Sequence, residues 1–115
     1  MNVLVADKFE KLGLDGLAAI GCKVTNAPEV PSDGLAASVN DAKADVLIVR
    51  SKKVPAAAIE QMRGMRLIIR AGAGYDNIDL NAAKGAGVAV ANCPGMNAIA
   101  VAELAMGHLL NLDRR

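Results

Sequence analysis

Apolar residues along this chain come in short runs, separated by stretches in which they recur every three or four positions. The runs at Asn2–Ala6, Cys22–Thr25, Asp45–Val49, Leu67–Ile69 and Val88–Ala91 read as strands. Between them, Lys8 to Ile20 places Phe9, Leu12, Leu17 and Ile20 near helical spacing, and Gly21 stops that pattern. Pro28 and Pro31 mark a loop, after which Ser32 or Asp33 can cap a helix to about Ala42. Val54-Pro55 opens a third helix with Ala58, Ile59 and Met62 on its apolar side and Gly64 as its stop. Asp79 caps a short helix over Leu80–Lys84, closed by Gly85 and Gly87. Asn97 caps a long one from Ala98 to about Leu112, whose apolar face carries Val101, Leu104, Ala105, His108, Leu109 and Leu112.

Five strands alternating with five helices, joined by short loops, predict an α/β fold with a doubly wound parallel sheet. The expected strand order is 2-1-3-4-5, a flavodoxin-like five-stranded sheet with a long C-terminal helix. Composition supports this. Hydrophobic residues make up 53% of the 115 residues but aromatics only 2%, so Val, Leu, Ile, Ala and Met must build the core. Small side chains suit helices lying close on a parallel sheet. Met62, Met65 and Met106 read as core filler.

A net charge of +1 speaks against nucleic acid or a membrane surface as a partner chosen by bulk electrostatics. No apolar run approaches the ~18 residues of a membrane span, and no leader pattern opens the chain, so a cytoplasmic location is expected. Cys22 and Cys93 make neither a CxxC pair nor a metal-ligand cluster. The predicted strand order puts them at opposite edges of the sheet, as two reduced thiols.

In open α/β sheets, ligands sit beyond the carboxyl ends of the strands. Here those ends supply Asp7, Arg50-Ser51, Ala71-Gly72-Ala73-Gly74 and Asn92 to Asn97. Neighbouring third and fourth strands bring Arg50, Ser51 and Arg70 to one edge, beside the backbone amides of Ala71 to Gly74. Lys52 and Lys53 add positive charge. Guanidinium groups, a hydroxyl and unpaired N–H groups suit a carboxylate or phosphate. The N-terminus of the helix after Asn97 offers further amides on the same side.

Gly72-Ala73-Gly74 is not a dinucleotide fingerprint, because Asn77 stands at the third position of GxGxxG, and no GxxxxGK[ST] loop occurs. His108 has no carboxylate at i±3 or i±4 to orient it, so it reads as a packed or partner-facing residue.

Three motifs, taken in order, carry a family resemblance. They are Val49-Arg50-Ser51, then Arg70-Ala71-Gly72-Ala73-Gly74-Tyr75-Asp76-Asn77-Ile78-Asp79, then Asn92-Cys93-Pro94-Gly95-Met96-Asn97 with Ala102-Glu103. Together they resemble the D-2-hydroxyacid dehydrogenases, most strongly over residues 45 to 115. The resemblance implies that residues 1–96 form the N-terminal part of a substrate-binding domain. Residues 97–115 would be an interdomain helix leading to a Rossmann domain that is absent here. It implies that Arg50 and Ser51 reach anionic groups of a small 2-hydroxy acid. The amides of Ala71, Gly72 and Gly74 would hold its carboxylate, with Arg70 and Asn97 close by.

Ala73 stands where relatives often carry a Thr that touches the nicotinamide cofactor, and alanine lacks that hydroxyl. Tyr75 stands where a smaller apolar residue is common. NAD and the catalytic side chains would belong to the remainder of the parent enzyme, so this segment is not expected to transfer a hydride alone. It is expected to pair through its last helix with the parent's Rossmann domain, or with a second copy as a homodimer or swapped dimer. The competing reading is a stand-alone flavodoxin-like module that binds a small anion, or a receiver-type domain. Arg50, where a receiver carries an acid, and the missing Ser/Thr-rich loop after strand one speak against that reading.

Overall fold

A computed structural model describes residues 1–114 and resolves five parallel strands in the order β2-β1-β3-β4-β5. The strands are β1 (Asn2–Val5), β2 (Lys23–Asn26), β3 (Val46–Val49), β4 (Leu67–Arg70) and β5 (Ala89–Ala91). The helices are α1 (Lys11–Ala19), α2 (Leu35–Ala42), α3 (Ala56–Gln61), α4 (Leu80–Gly85) and α5 (Ala98–Arg114). The predicted order is the observed one, and each element lies within a few residues of its expected place.

Side-chain alternation along the strands builds two unequal layers. Leu4, Ala6, Leu47, Val49 and Ile68 point to one face, where they pack with Leu35 and Val39 of α2, Ile59 of α3 and Ala83 of α4. Val3, Val5, Val46 and Ile48 point to the other face, which meets only Phe9, Leu14 and Leu17 around α1. The first face is thus closed by three helices. The second is covered by one, and Leu67 and Ile69 on it stay half-buried.

Helix α1 starts three residues later than its pattern suggests, and this resets its phase. Leu14 and Leu17 turn to the sheet, whereas Leu12 and Ile20 are exposed. The Phe9 ring lies against the backbone at Gly13, where a Cβ would fall 2.3 Å from Cε1; the glycine is there for that approach. Neither Ser32 nor Asp33 caps a helix through its side chain. Residues 32–34 form a 3-10 turn that runs into α2. Helix α2 ends on Lys43 in the left-handed conformation, φ 49°, where glycine is the usual residue. Asp79 does cap α4, accepting from Ala82 N at 2.9 Å.

Helix α5 projects from the body. All its described residues are exposed, Leu104, Met106, Leu109 and Leu110 among them. Met106 is therefore not core filler, whereas Met65 is buried. The radius of gyration, 16.2 Å, exceeds the ~13 Å of a compact chain of this length because of this arm. Cys22 and Cys93 are free and half-buried. Among the described residues no helix is long and apolar enough to cross a membrane.

Candidate functional site

The strand ends converge as doubly wound topology requires. A cleft of about 500 Å³ opens beyond β3, β4 and β5, lined by Arg50, Ser51, Arg70, Ala71, Gly72, Ala73, Cys93, Met96 and Asn97. Seven of the eight residues singled out by sequence are on this wall. Gly74 is not; it is exposed at the rim. Cys93 and Met96 are additional wall residues. A somewhat larger cleft, about 590 Å³, runs along β1, β2 and α2. Its charged residues, Lys23, Asp41 and Lys43, mix both signs. It therefore lacks the one-signed character of the strand-tip cleft.

Electrostatics decide between the two. The strand-tip cleft carries two guanidinium groups and no carboxylate on its wall. Among the described residues the only ion pair joins Asp113 and Arg114, so neither Arg50 nor Arg70 is neutralised within the chain. Arg70 is oriented instead by a backbone group: its Nε donates to the Arg50 carbonyl at 2.8 Å. That bond lays the guanidinium over Gly72, where a Cβ would fall 2.1 Å from Nη1. Gly72 thus makes room for the cation.

The supply of free amides is smaller than the sequence promised. Ala71 N donates to Val49 O at 2.8 Å and Gly72 N to Arg70 O at 2.9 Å, so both are already engaged within the fold. The amides of Ala73 and Gly74 have no partner among the described residues. From the β5 side, Asn92 Nδ2 donates to Ala73 O at 2.6 Å and Cys93 N to Gly72 O at 2.9 Å, fixing the glycine bend. Asn97 joins the wall, but its carbonyl rather than its side chain starts α5, accepting from Val101 N at 3.0 Å. Its side-chain amide makes no hydrogen bond among the described residues, which leaves it available to the cleft.

Two residues behave differently from expectation. Lys52 adds no charge to the cleft. Its ammonium donates to the carbonyl oxygens of Ala6, Pro28 and Val30, closing the loop after β2 onto the end of β1. Asp7, at the tip of β1, spends its carboxylate on the backbone. Oδ2 accepts from the N–H groups of Arg50, Ser51 and Lys52 at 3.0, 2.7 and 2.9 Å, and Oδ1 from Lys8 N at 2.9 Å. Partial burial pushes this carboxyl up, but the donors from Ser51, Lys52, Arg50 and Lys8 outweigh it and hold it below its ordinary value. An acid so engaged is no phosphoacceptor, which removes the receiver reading. No periodicity could have shown these two roles, since both depend on strand neighbours more than 20 residues away.

Residues 3–107 match the family model described as D-isomer specific 2-hydroxyacid dehydrogenase, catalytic domain. The chain belongs to that family. A D-3-phosphoglycerate dehydrogenase of Archaeoglobus fulgidus is 36% identical over 116 residues, covering 100% of this chain and 22% of the relative. A hydroxypyruvate reductase of Thermotoga maritima is 52% identical over 71 residues, 61% of this chain and 23% of that protein. Among solved structures, an NAD+-bound 3-phosphoglycerate dehydrogenase of Entamoeba histolytica superimposes with a TM-score of 0.81 at 33% identity, covering 93% of this chain and 37% of that one. This chain therefore spans about a fifth of the length of these curated relatives. The family resemblance read from three motifs thus extends over nearly the whole chain, including the first 44 residues, where only the element pattern had pointed to it.

Proposed function

We propose that this chain is the substrate-binding part of an NAD-dependent D-2-hydroxyacid dehydrogenase, and that its cleft receives the carboxylate of 3-phospho-D-glycerate. In the whole protein the reaction is oxidation at C2 in a cytoplasmic serine-forming route. The observation that carries this reading is a pair of arginines without an ion-pair partner among the described residues, Arg50 and Arg70, on the wall of a cleft that has no carboxylate residue in its lining. Such groups bind planar carboxylates or phosphates through paired N–H donors. The Ala73 amide, the Ser51 hydroxyl and the Asn97 side chain supply further donors of fitting kind.

Residues 1–96 serve as the substrate-binding body and residues 97–114 as the described part of an interdomain helix expected over 97–115; Arg115 lies outside the described residues. The described residues do not fit a dinucleotide: there is no GxGxxG loop, and the Ala71 and Gly72 amides are engaged. NAD binding is therefore assigned to a Rossmann domain of the parent chain, toward which Ala73 on the wall offers a methyl group and no side-chain hydrogen bond. No His, Asp or Glu lines the cleft, so hydride transfer needs an acid–base pair from elsewhere. The exposed apolar residues of α5 then bury against that domain, or against a second copy in a homodimer or swapped dimer.

Titration with 3-phosphoglycerate, followed by amide resonances of the 15N-labelled chain, tests the reading. Shifts are expected at Gly72, Gly74 and Asn97. Arg50→Gln and Arg70→Gln should each weaken binding about tenfold or more. Lys53→Gln, exposed and off the wall, should change it less than about twofold. Shifts confined to the Lys23–Asp41 cleft would refute it.

A further inference from the structure

The two arginines need an explanation for their aim. Arg50 follows the end of β3 and Arg70 closes β4, and neither is held by an ion pair among the described residues. What shapes the loop after β3 is a carboxylate from a different strand. Three successive N–H groups, of Arg50, Ser51 and Lys52, point at a single oxygen, Asp7 Oδ2. Successive amides arranged this way form a concave anion site, and here an internal carboxylate fills it.

We propose that Asp7 is a positioning residue for the anion cleft: its carboxylate bends the backbone at residues 50–52 so that the Arg50 carbonyl is presented to Arg70 Nε and both guanidinium groups face the cleft. The inference rests on the anion-binding reading of that cleft.

The chain of contacts is continuous. Asp7 holds the amide of Arg50, and the carbonyl of that same residue accepts from Arg70 Nε at 2.8 Å. The far side of the loop is fixed as well, since Asn77 Nδ2 donates to Lys52 O at 2.8 Å and Val54 N to Asn77 O at 2.8 Å. Lys52 Nζ locks residue 52 to the carbonyl of Ala6, one residue before Asp7. With residues 52 to 54 fixed, Asp7 is the group that holds the amides of residues 50 and 51, and Arg70 meets the carbonyl so presented.

Asp7 also forms no ion pair with the cations it positions. No bond joins its oxygens to either guanidinium group, and it is absent from the cleft wall. A carboxylate paired with Arg50 would order the loop equally well but cancel the charge a ligand needs. A neutral side chain there would leave the charge but make weaker bonds to the amides, charge-assisted hydrogen bonds being roughly twice as strong as neutral ones.

The Arg70 Nε–Hε resonance of the 15N-labelled protein reads this relay directly. Asp7→Asn is expected to move that resonance toward its position in an unstructured peptide and to weaken 3-phosphoglycerate binding about tenfold. Val39→Ala, a truncation in the closed core layer, should lower thermal stability and leave both readouts in place. The proposal is overturned if Asp7→Asn leaves the Arg70 resonance unmoved, or if Val39→Ala moves both readouts as far. If the unaltered protein binds no 3-phosphoglycerate, the cleft's proposed function fails, and the Arg70 resonance alone still decides the role of Asp7. Should Asp7→Asn not fold, the unaltered protein answers through scalar couplings across the hydrogen bonds. These are expected between Ser51 N and the Asp7 carboxyl carbon, and between Arg70 Nε and the Arg50 carbonyl carbon. Absence of either overturns the proposal.

Discussion

Gly72→Ala separates ligand binding from folding. At this position an ideal Cβ lies 2.1 Å from Arg70 Nη1, 2.5 Å from Cζ and 3.1 Å from Nε. The contact is with a side chain, so the backbone need not move, but the guanidinium must. Leaving its place breaks the bond from Nε to Arg50 O, an exposed one worth at most about 0.5–1.5 kcal/mol. Against this, alanine restricts the unfolded chain and returns about 0.4–1 kcal/mol, since Gly72 is not held at positive φ. The net change in stability is therefore within about 1 kcal/mol of zero. Binding has no such offset. A displaced Arg70 loses charge-assisted bonds to the ligand worth about 1.5–3 kcal/mol, a weakening of roughly tenfold to a hundredfold. Urea denaturation and titration with 3-phosphoglycerate measure the two quantities on the same sample. Binding within twofold of the unaltered protein would refute the placement of Arg70 over the glycine bend. A loss of stability beyond about 2 kcal/mol would refute the account of Gly72 as room for a cation rather than a backbone requirement.

Other outcomes follow from the same geometry. Because Asp7 is held below its ordinary pKa, the stability it contributes is complete above the unfolded value near 3.9 and is lost as pH falls through the folded one. The urea midpoint of Asp7→Asn should therefore fall less on acidification than that of the unaltered protein. Lys43→Gly removes a Cβ from a left-handed position, and should raise stability by about 0.5–1 kcal/mol, or a few degrees in Tm. Ile68→Ala, in the layer closed by three helices, should cost about 3–4 kcal/mol, and Ile69→Ala, on the half-covered face, under about 1.5 kcal/mol by urea denaturation. Light scattering at high micromolar concentration should find more than a monomer, because α5 exposes Leu104, Leu109 and Leu112; a strict monomer would refute self-association.

Strand order and the cleft wall were legible because they rest on local signals. The runs Val46–Val49 and Leu67–Ile69 are too continuously apolar for anything but central strands, and topology then places their tips side by side. What escaped was everything set by partners distant in sequence. Lys52 looked like one more cation beside Arg50, yet three carbonyls from two other segments take its ammonium. Ala71 to Gly74 looked like four bare amides, yet a strand ladder and a tight turn use two of them. The phase of α1 is not legible from spacing alone, because Phe9 falls in helical register yet lies before the helix, over Gly13.

The charges at the strand tips explain why the cleft can remain cationic in a chain of net charge +1. Asp7, Arg50 and Arg70 stand at the carboxyl ends of three consecutive strands, β1, β3 and β4, and Asp7 already lies 3.0 Å from the Arg50 amide, so an unconstrained carboxylate could be drawn to a guanidinium. Pairing there would be worth little at such an exposed site and would leave nothing for a ligand. The fold gives the carboxylate better partners first: three backbone N–H groups at one oxygen and one at the other. The acid is satisfied by peptide dipoles, the arginines are not satisfied by the acid, and the unspent positive charge faces the cleft.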